Sequence, residues 1–557
     1  MAAPIFVRSR NPRRSRCPAA AACGGDRDRS RRWPLLSLVT VGIRTALLVA
    51  GSSGAAAVSE PTAVADPATE PEAVAEPATA TEPEAVAEPA TEPEAVAEPA
   101  TATEPEAIAE PVTVAEPAAV AEPATVAEPA AVPAPGGVPD RAGPGEPGEV
   151  VAAEPTGRAD GGRVGQRWAT SWASMPQLAE PENMPPPPFT EPDRMLADST
   201  LRQTVRVSVA GSRIRLRLSN AFGGAPLPVT AATVALPEGG RAGVSAIQPG
   251  SARPVTFSGR ASVTVPVGAQ LVSDPVDIAV PARANLTVTL YLGPGQASDR
   301  ITAHPGSRTT SHLLRGNHVA ASTLPGATPV DHWYLLSALE VPAGPGTRVA
   351  VLLGDSLTDG RGSTTNGNDR WPDQLVDRLH GHDRTRDVAV LNQAAGGNRV
   401  LADGLGPNAL ARLDRDVLAQ SGVAWLVVFE GVNDIGTAEA TEAAQRAVAD
   451  DLLTAYDQIV TRAHAQEILV YGATLTPFGG NPDYDDPTGL REATRQAVNR
   501  WIRGSGRFDA VIDFDRAVRD PADPRRLLPA ADTGDHLHLN PTGYRLLADA
   551  VPARLFH

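Results

Sequence analysis

Between residues 59 and 135 an EPEAVAEPAT-like unit repeats, placing a proline every four to six positions. Each proline removes a backbone donor and clashes with the preceding turn, so a helix cannot propagate there. The repeat holds no large side chain for a core, and its carboxylates repel one another. It therefore reads as an extended, semi-rigid spacer reaching at most about 200 Å at roughly 3 Å per residue. The Gly- and Pro-rich run from Val132 to Gly162 continues it. Of 557 residues, this leaves roughly 390 for folding, enough for two cores. The segment from Glu60 to Ala130 has 17 acidic residues and no Lys, Arg or His, against a net charge of -16 for the whole chain. The remainder is near neutral, and no clustered Lys and Arg offers a surface for nucleic acid.

The first residues are basic, from Arg8 to Arg32, and an apolar run, Leu35 to Ala50, ends in GSSGAAAVSE. This order matches a secretory signal over residues 1–57, with small residues Ala55 and Ala57 at a cleavage site, and predicts a secreted protein. Arg44 interrupts the run, which is too short to span hydrocarbon, so stable membrane insertion is not expected. Cys17 and Cys23 lie within this leader, too few for a four-cysteine metal cage and with no histidine near. Residues 58–162 are the disordered linker, and a mature chain would carry neither thiol nor disulfide.

From Arg167 the character changes. QTVRVSVAG and SRIRLRLSN alternate polar and apolar residues with period two, as half-buried strands do. ARPVTFSG, ASVTVPV, PVDIAV and NLTVTLYL follow, separated by turn residues, with no helical stretch between 200 and 345. Residues 163–345 are thus an all-β domain, of sandwich type. Asn285-Leu286-Thr287 is a glycosylation sequon.

At Arg348 continuous apolar strands begin to alternate with amphipathic stretches. RVAVLLG, DVAVLNQ, VAWLVVFEG, EILVYGAT and DAVIDF read as strands; LVDRLH, LARLDRDVLAQ, residues 438–465, TGLREATRQAVNRWIRG and PTGYRLLADAVPARLF read as helices. Strands buried on both faces between helices predict an α/β three-layer fold with five parallel strands over residues 346–557.

In such a sheet reactive groups lie beyond the carboxyl ends of the strands. The first strand runs into Gly354-Asp355-Ser356, the second into AAGGNR, the third into Glu430-Gly431-Val432-Asn433-Asp434, and Asp535-His536-Leu537-His538 precedes the last helix. A serine needs a base to take its proton as it attacks, and His538 is the candidate base for Ser356. Asp535, three residues earlier, can fix the tautomer of His538 and stabilise its imidazolium. His536 is the rival base, but adjacent to Asp535 it points away. Asn433 offers a side-chain amide, and Gly397 and Ser356 offer backbone N–H groups, to the oxyanion of a tetrahedral intermediate. A helix cap is the plainer role for Ser356, and a loop cap for Asn433. Asp355, Asp359, Asp369 and Asp434 read as turn-capping groups rather than a cation site, so no metal or other cofactor is expected. Trp371, Trp425, Tyr471, Phe478 and Tyr484 are candidates to line a substrate pocket, with YGATLTPFGGNPDYDD as its rim.

GDSLTDG, the glycine of AAGGNR, GVND and DHLHLN occur in the order of the four blocks of the SGNH (GDSL) hydrolase family, over residues 347–557, and the chain resembles that family. The resemblance implies a flavodoxin-like fold, Ser356 as nucleophile, Gly397 and Asn433 as oxyanion donors, and Asp535 with His538 completing a triad. GNRVL, with an upstream β domain opening in WATSW, is similar to a secreted XynE-like subgroup. A secreted carboxylic ester hydrolase (GDSL-type esterase or lipase) working through an acyl-enzyme follows, acting on small-molecule or polysaccharide-linked esters. Alternatives are a carbohydrate acetylesterase whose β domain contacts a glycan or cell wall, an acyltransferase using the same triad, a carbohydrate-binding module, and a surface protein held by the repeats. A binding module would need a regular row of exposed aromatics, and Trp168, Trp172, Phe222, Phe257 and Trp333 show no such spacing.

Overall fold

A computed structural model describes residues 167–557. The expected signal (1–57), the linker (58–162) and both cysteines lie outside the described residues. Five parallel strands, β1 (Arg348–Gly354), β2 (Val388–Ala394), β3 (Val423–Phe429), β4 (Leu469–Ala473) and β5 (Ala510–Ile512), form one sheet in the order β2-β1-β3-β4-β5. The order reverses at β1, so the carboxyl ends of β1 and β3 flank a crevice. Val349 to Leu353 and Leu426 to Phe429 are buried, as strands covered on both faces must be.

Eight helices connect or follow these strands: α1 (Ser356–Asp359), α2 (Trp371–His380), α3 (Ala409–Leu413), α4 (Val432–Thr437), α5 (Glu442–His464), α6 (Leu490–Gly504), α7 (Phe514–Val518) and α8 (Pro541–Ala550). In α5 the residues Val448, Leu452, Ala455, Tyr456 and Ile459 are buried, an apolar stripe of helical period. Thr441 sets its start by accepting the Ala444 N–H at 3.2 Å, four residues later than the sequence pattern predicts. Asn540 caps α8 through the N–H groups of Thr542 and Gly543, and Pro541 occupies the first turn. Pro552 ends that helix short of the expected Phe556. The expected single helix LARLDRDVLAQ is α3 running into a π turn, Asp414–Leu418. The wider turn leaves both Arg412 and Asp416 facing the interior.

The preceding all-β region is built from antiparallel sheets. One joins Trp168–Ala173, Leu336–Pro342, Gly211–Ser219 and Val276–Val280, with Gln270–Val272 beside Gly211–Ser219. A six-stranded sheet centres on Ser199–Arg206 and Asn285–Leu292. The first of these was expected to be half-exposed. Instead Arg202, Gln203 and Thr204 are buried, because neighbouring loops cover them and supply partners. The Arg202 guanidinium donates to Thr289 Oγ1 and to the carbonyls of Ser245 and Ala321. Burial lowers Arg202 to about 10.

The two regions share no strand, yet they form one compact unit. The Ser208 hydroxyl bonds both backbone groups of Val390 on edge strand β2, at 2.8 and 3.2 Å, and so covers an otherwise open sheet edge. The Thr170 N–H donates to the Ser421 carbonyl at 3.0 Å. Glu340, buried, accepts from Arg215, from Arg217 at 2.7 Å and from the Ser421 hydroxyl at 2.8 Å. Among the described residues no helix is long and apolar enough to cross a membrane.

Removing the Glu340 carboxylate strands two arginines at this junction. Glu340→Leu is expected to lower unfolding stability by about 3 kcal/mol, read from the urea midpoint of the full chain at pH 7. Burial acts to raise this carboxyl, but the Ser421 hydroxyl and the two arginines hold it below the ordinary 4.5. A carboxyl whose pKa is depressed on folding stabilises above its unfolded value and loses that stabilisation as pH falls through the folded one. The mutant and parent midpoints should therefore converge well below pH 4.5; a constant gap down to pH 2 contradicts the assignment.

Candidate active site

At the end of β1 the chain turns directly into α1. The Asp355 carboxylate accepts the Leu357 N–H at 2.9 Å and so caps this helix. The cap is therefore Asp355, which corrects the plainer expectation for Ser356 and leaves its hydroxyl free for other chemistry. Gly360 closes α1 with φ +99°, where a Cβ would lie 2.2 Å from the Arg370 side chain.

Ser356 Oγ lies 2.9 Å from His538 Nε2, and His538 Nδ1 lies 2.6 Å from Asp535 Oδ2. A carboxylate only accepts, so Nδ1 carries the proton and Nε2 presents its lone pair to the serine hydroxyl. Asp535 Oδ1 also accepts from the His538 and Leu537 N–H groups at 2.8 and 3.0 Å and from Thr533 Oγ1 at 2.9 Å. Burial alone would raise this carboxyl; the His538 amide, the His538 ring and the Leu537 amide outweigh it and hold it well below the usual range. Burial lowers the His538 imidazole, opposed by Asp535 and helped by the charges of Arg361 and Arg308. The rival His536 pairs with Asp532 instead, Nδ1 to Oδ2 at 2.7 Å.

Gly397 and Asn433 stand at the ends of β2 and β3. Gly397 has φ +69°, and a side chain there would strike Leu405 at 2.4 Å. The Asn433 amide donates one N–H to the Asn398 carbonyl at 2.7 Å and accepts the Tyr484 hydroxyl on its oxygen at 2.6 Å. Asn433 lines the cleft together with Ser356 and Gly397. The expected loop cap is thus a fixed amide inside α4. Tyr484 is also the one of the five candidate aromatics that lines the cleft. Trp371, Trp425, Tyr471 and Phe478 are buried in the core, Trp371 against Phe514 and Trp425 against Phe556. Of the expected rim, YGATLTPFGGNPDYDD, Asn481, Pro482, Asp483 and Tyr484 line the cleft. The suspected aspartates have other tasks: Asp434 accepts the Val400 and Leu401 N–H groups at 2.9 Å each, and Asp369 accepts that of Thr364. Among the described residues no cluster of His, Cys, Asp or Glu is arranged to hold a metal ion.

Two supporting groups escape the motif pattern. Arg412, fully buried, donates to the carbonyls of Gln393 and Gly354 at 2.6 and 3.2 Å, to Asn398 Oδ1 at 2.9 Å, and to Glu430 at 3.3 Å. One guanidinium thus joins the ends of β1, β2 and β3, the strands that lead to Ser356, Gly397 and Asn433. Its sequence signal is an Arg–Asp pair four residues apart, Arg412 and Asp416, on the apolar face of a helix. The second group is His304, from the all-β region. Its Nε2 lies 3.0 Å from Asp359 Oδ1 in α1, and its Nδ1 lies 2.9 Å from the Met175 carbonyl. Both ring nitrogens thus lie within hydrogen-bond reach of oxygens from two separate segments.

Residues 352–546 match the GDSL-like lipase/acylhydrolase family. The chain carries a GDSL-type hydrolase domain. Among solved structures, the hydrolase domain is similar to an acetyl xylan esterase, AlAXEase, at 21% identity over 36% of this chain and 96% of that one, TM-score 0.28. It is also similar to a catalytic mutant of an acetylxylan esterase from Geobacillus stearothermophilus, at 19% identity over 36% and 91%, TM-score 0.29. A GDSL-like lipase from Bacteroides thetaiotaomicron gives 17% identity over 36% and 85%, TM-score 0.27. No curated protein matches the chain.

Arg412→Lys keeps the charge but cannot reach three strand ends at once. It is expected to destabilise the hydrolase domain by about 3 kcal/mol and to depress ester turnover further than that loss of folded protein explains. Thermal unfolding and kcat per folded molecule, measured side by side, check it. Parent-like values for both would contradict the role given to Arg412.

Proposed function

We propose that the protein is a secreted serine carboxylic ester hydrolase working through Ser356, His538 and Asp535 in two steps. The unbroken chain of short contacts from the Ser356 hydroxyl through His538 to Asp535 carries this reading. As Ser356 Oγ attacks the ester carbonyl, His538 Nε2 takes the hydroxyl proton. The carbonyl oxygen becomes an oxyanion that the backbone N–H groups of Ser356 and Gly397 and the free N–H of Asn433 receive. The imidazolium then gives its proton to the departing alcohol, leaving an acyl group on Ser356. Water, deprotonated by the same nitrogen, attacks the acyl carbon; the acid departs and Ser356 regains its proton. The leader at residues 1–57 supports export, and the domain bounds proposed are 58–162 for the linker, 163–345 for the all-β region and 346–557 for the hydrolase.

A carbohydrate ester is the second reading, favoured by one observation. Gln177, Glu180, Asn183 and His332 of the all-β region line the same cleft of about 800 Å³ as Ser356 and His538. A cleft so rich in donors and acceptors suits a hydroxylated alcohol better than an aliphatic one. GNRVL and WATSW resemble the secreted XynE-like subgroup.

Ser356→Ala is expected to lower p-nitrophenyl acetate turnover on the order of 10⁴-fold or more with an unchanged unfolding transition; parent-like rates would refute the nucleophile. His538 must be neutral to act, and burial holds its imidazole below 6.5, so kcat/KM should rise with pH and reach half its plateau below pH 6.5. A midpoint above 7 would contradict this. Tyr484→Phe frees the Asn433 amide to turn, so kcat should fall about tenfold while KM moves little; equal changes in both would make Tyr484 a binding residue instead.

A further inference from the structure

Four of the carboxylates that line the cleft accept hydrogen bonds from neighbouring side chains: Asp535 from His538, Asp359 from His304, Glu180 from Gln177 and Asn183, and Asp331 from the Thr310 hydroxyl, and Asp483 lines it as well. Two guanidinium groups in the same cleft are held by no carboxylate among the described residues. Arg308, from the all-β region, and Arg361, immediately after α1, both line the cleft, and neither has an ion-pair partner among the described residues. Arg308 Nε is buried without any hydrogen-bond partner. A buried donor left so is costly unless a ligand satisfies it.

The backbone at Arg308 is also held against its preference. Its φ is +50°, in the left-handed region that a branched or long side chain seldom adopts. The loop is fixed there from the neighbouring region: the Asn366 N–H donates to the Arg308 carbonyl at 2.9 Å, and Asn366 Oδ1 accepts the Thr310 N–H at 2.8 Å. Such strain persists where the surroundings over-determine it, commonly to aim a side chain at a ligand. Arg361 is equally placed. Its N–H donates to the Ser356 carbonyl at 3.0 Å, and its own carbonyl accepts the Tyr544 hydroxyl at 2.6 Å.

Arg308, Arg361 and His538 line the same cleft, and Arg361 is held beside Ser356 by its N–H bond to the Ser356 carbonyl. Gly397 and Asn433 stand at the β2 and β3 ends. The alcohol of an ester leaves from the imidazole side, because His538 protonates it. We propose that the alcohol portion of the natural ester carries an anionic group, a carboxylate or a phosphate, held by Arg308 and Arg361. Guanidinium groups suit both, through paired charge-assisted hydrogen bonds. This rests on the ester-hydrolase reading above.

The test compares kcat/KM of the full chain for phenyl acetate, 4-acetoxybenzoate and 4-acetoxyphenyl phosphate, each divided by its alkaline hydrolysis rate. At low salt one of the two anionic esters should exceed phenyl acetate by about tenfold, narrowing as ionic strength rises. Whichever ester gains identifies the anion as carboxylate or phosphate. Arg308→Gln and Arg361→Gln should each lower the anionic-to-neutral ratio about fivefold or more, and Arg308→Lys should keep most of it. A damaged fold would depress all three esters together, and the ratio cancels that. A ratio near one in the parent, or one unmoved by either Gln substitution, overturns the proposal. The ester-hydrolase reading fails by a different result, equal phenyl acetate turnover by Ser356→Ala and parent.

Discussion

The buried guanidinium of Arg412 is the point on which the candidate site depends. Three parallel strands converge on it at their carboxyl ends, and each end leads to a residue that lines the cleft. Arg412 bonds the carbonyls at Gly354 and Gln393, the side chain of Asn398 and the carboxylate of Glu430. Asn398 passes the constraint on, since its carbonyl accepts from Asn433 and its amide holds the carbonyls of Leu405 and Pro407. A cation with several short, well-directed acceptors can remain charged in the interior where an isolated one could not. The π turn after α3 belongs to the same solution, because it lets Asp416 reach Arg412 at 3.7 Å while both stay buried.

Acidic groups surround that cation, and their environment separates them. Burial pushes Glu430 up to about 7, with Arg412 opposing. Burial and the neighbouring Glu430 raise Asp355 well above the usual carboxylate range. Asp535 goes the other way, held down by amide donors and by the imidazole it faces. The carboxylate facing His538 is thus held low by its donors, while burial raises the carboxyls around Arg412.

Much of this was legible in the sequence because the relevant signals are local. Apolar runs of five to seven residues, flanked by amphipathic stretches, predict the parallel sheet, and short polar motifs at strand ends predict Ser356, Gly397, Asn433, Asp535 and His538. His304 and Arg308 were not legible, and Arg412 only through its spacing from Asp416, because what each meets lies at a distance in sequence that no period or spacing encodes. His304 meets Asp359 55 residues on. Arg412 reaches back 58 residues to Gly354. The aromatics misled for the converse reason, since Trp371 and Trp425 lie close in sequence to site residues while their rings point into the core. Gln203 shows the limit of alternation: a polar residue in a period-two strand reads as exposed, but the Tyr334 backbone, which gives its amide both an acceptor and a donor, makes burial equally good.

The all-β region is consequently part of the site rather than an appendage to it. It closes the edge of the parallel sheet through Ser208, grips α1 through His304, and walls the cleft with Gln177, Glu180, Arg308 and His332. The parallel-sheet region by itself brings Ser356, Gly397 and Asn433 to the ends of its first three strands, with Asp535 and His538 from the segment before α8. On the proposed reading, the all-β region supplies the part of the cleft wall, Arg308 included, that receives the alcohol. Reaction chemistry would then reside in one region and choice of alcohol in the other, with Asp359 and His304 keeping the two in register at the helix that begins with Ser356.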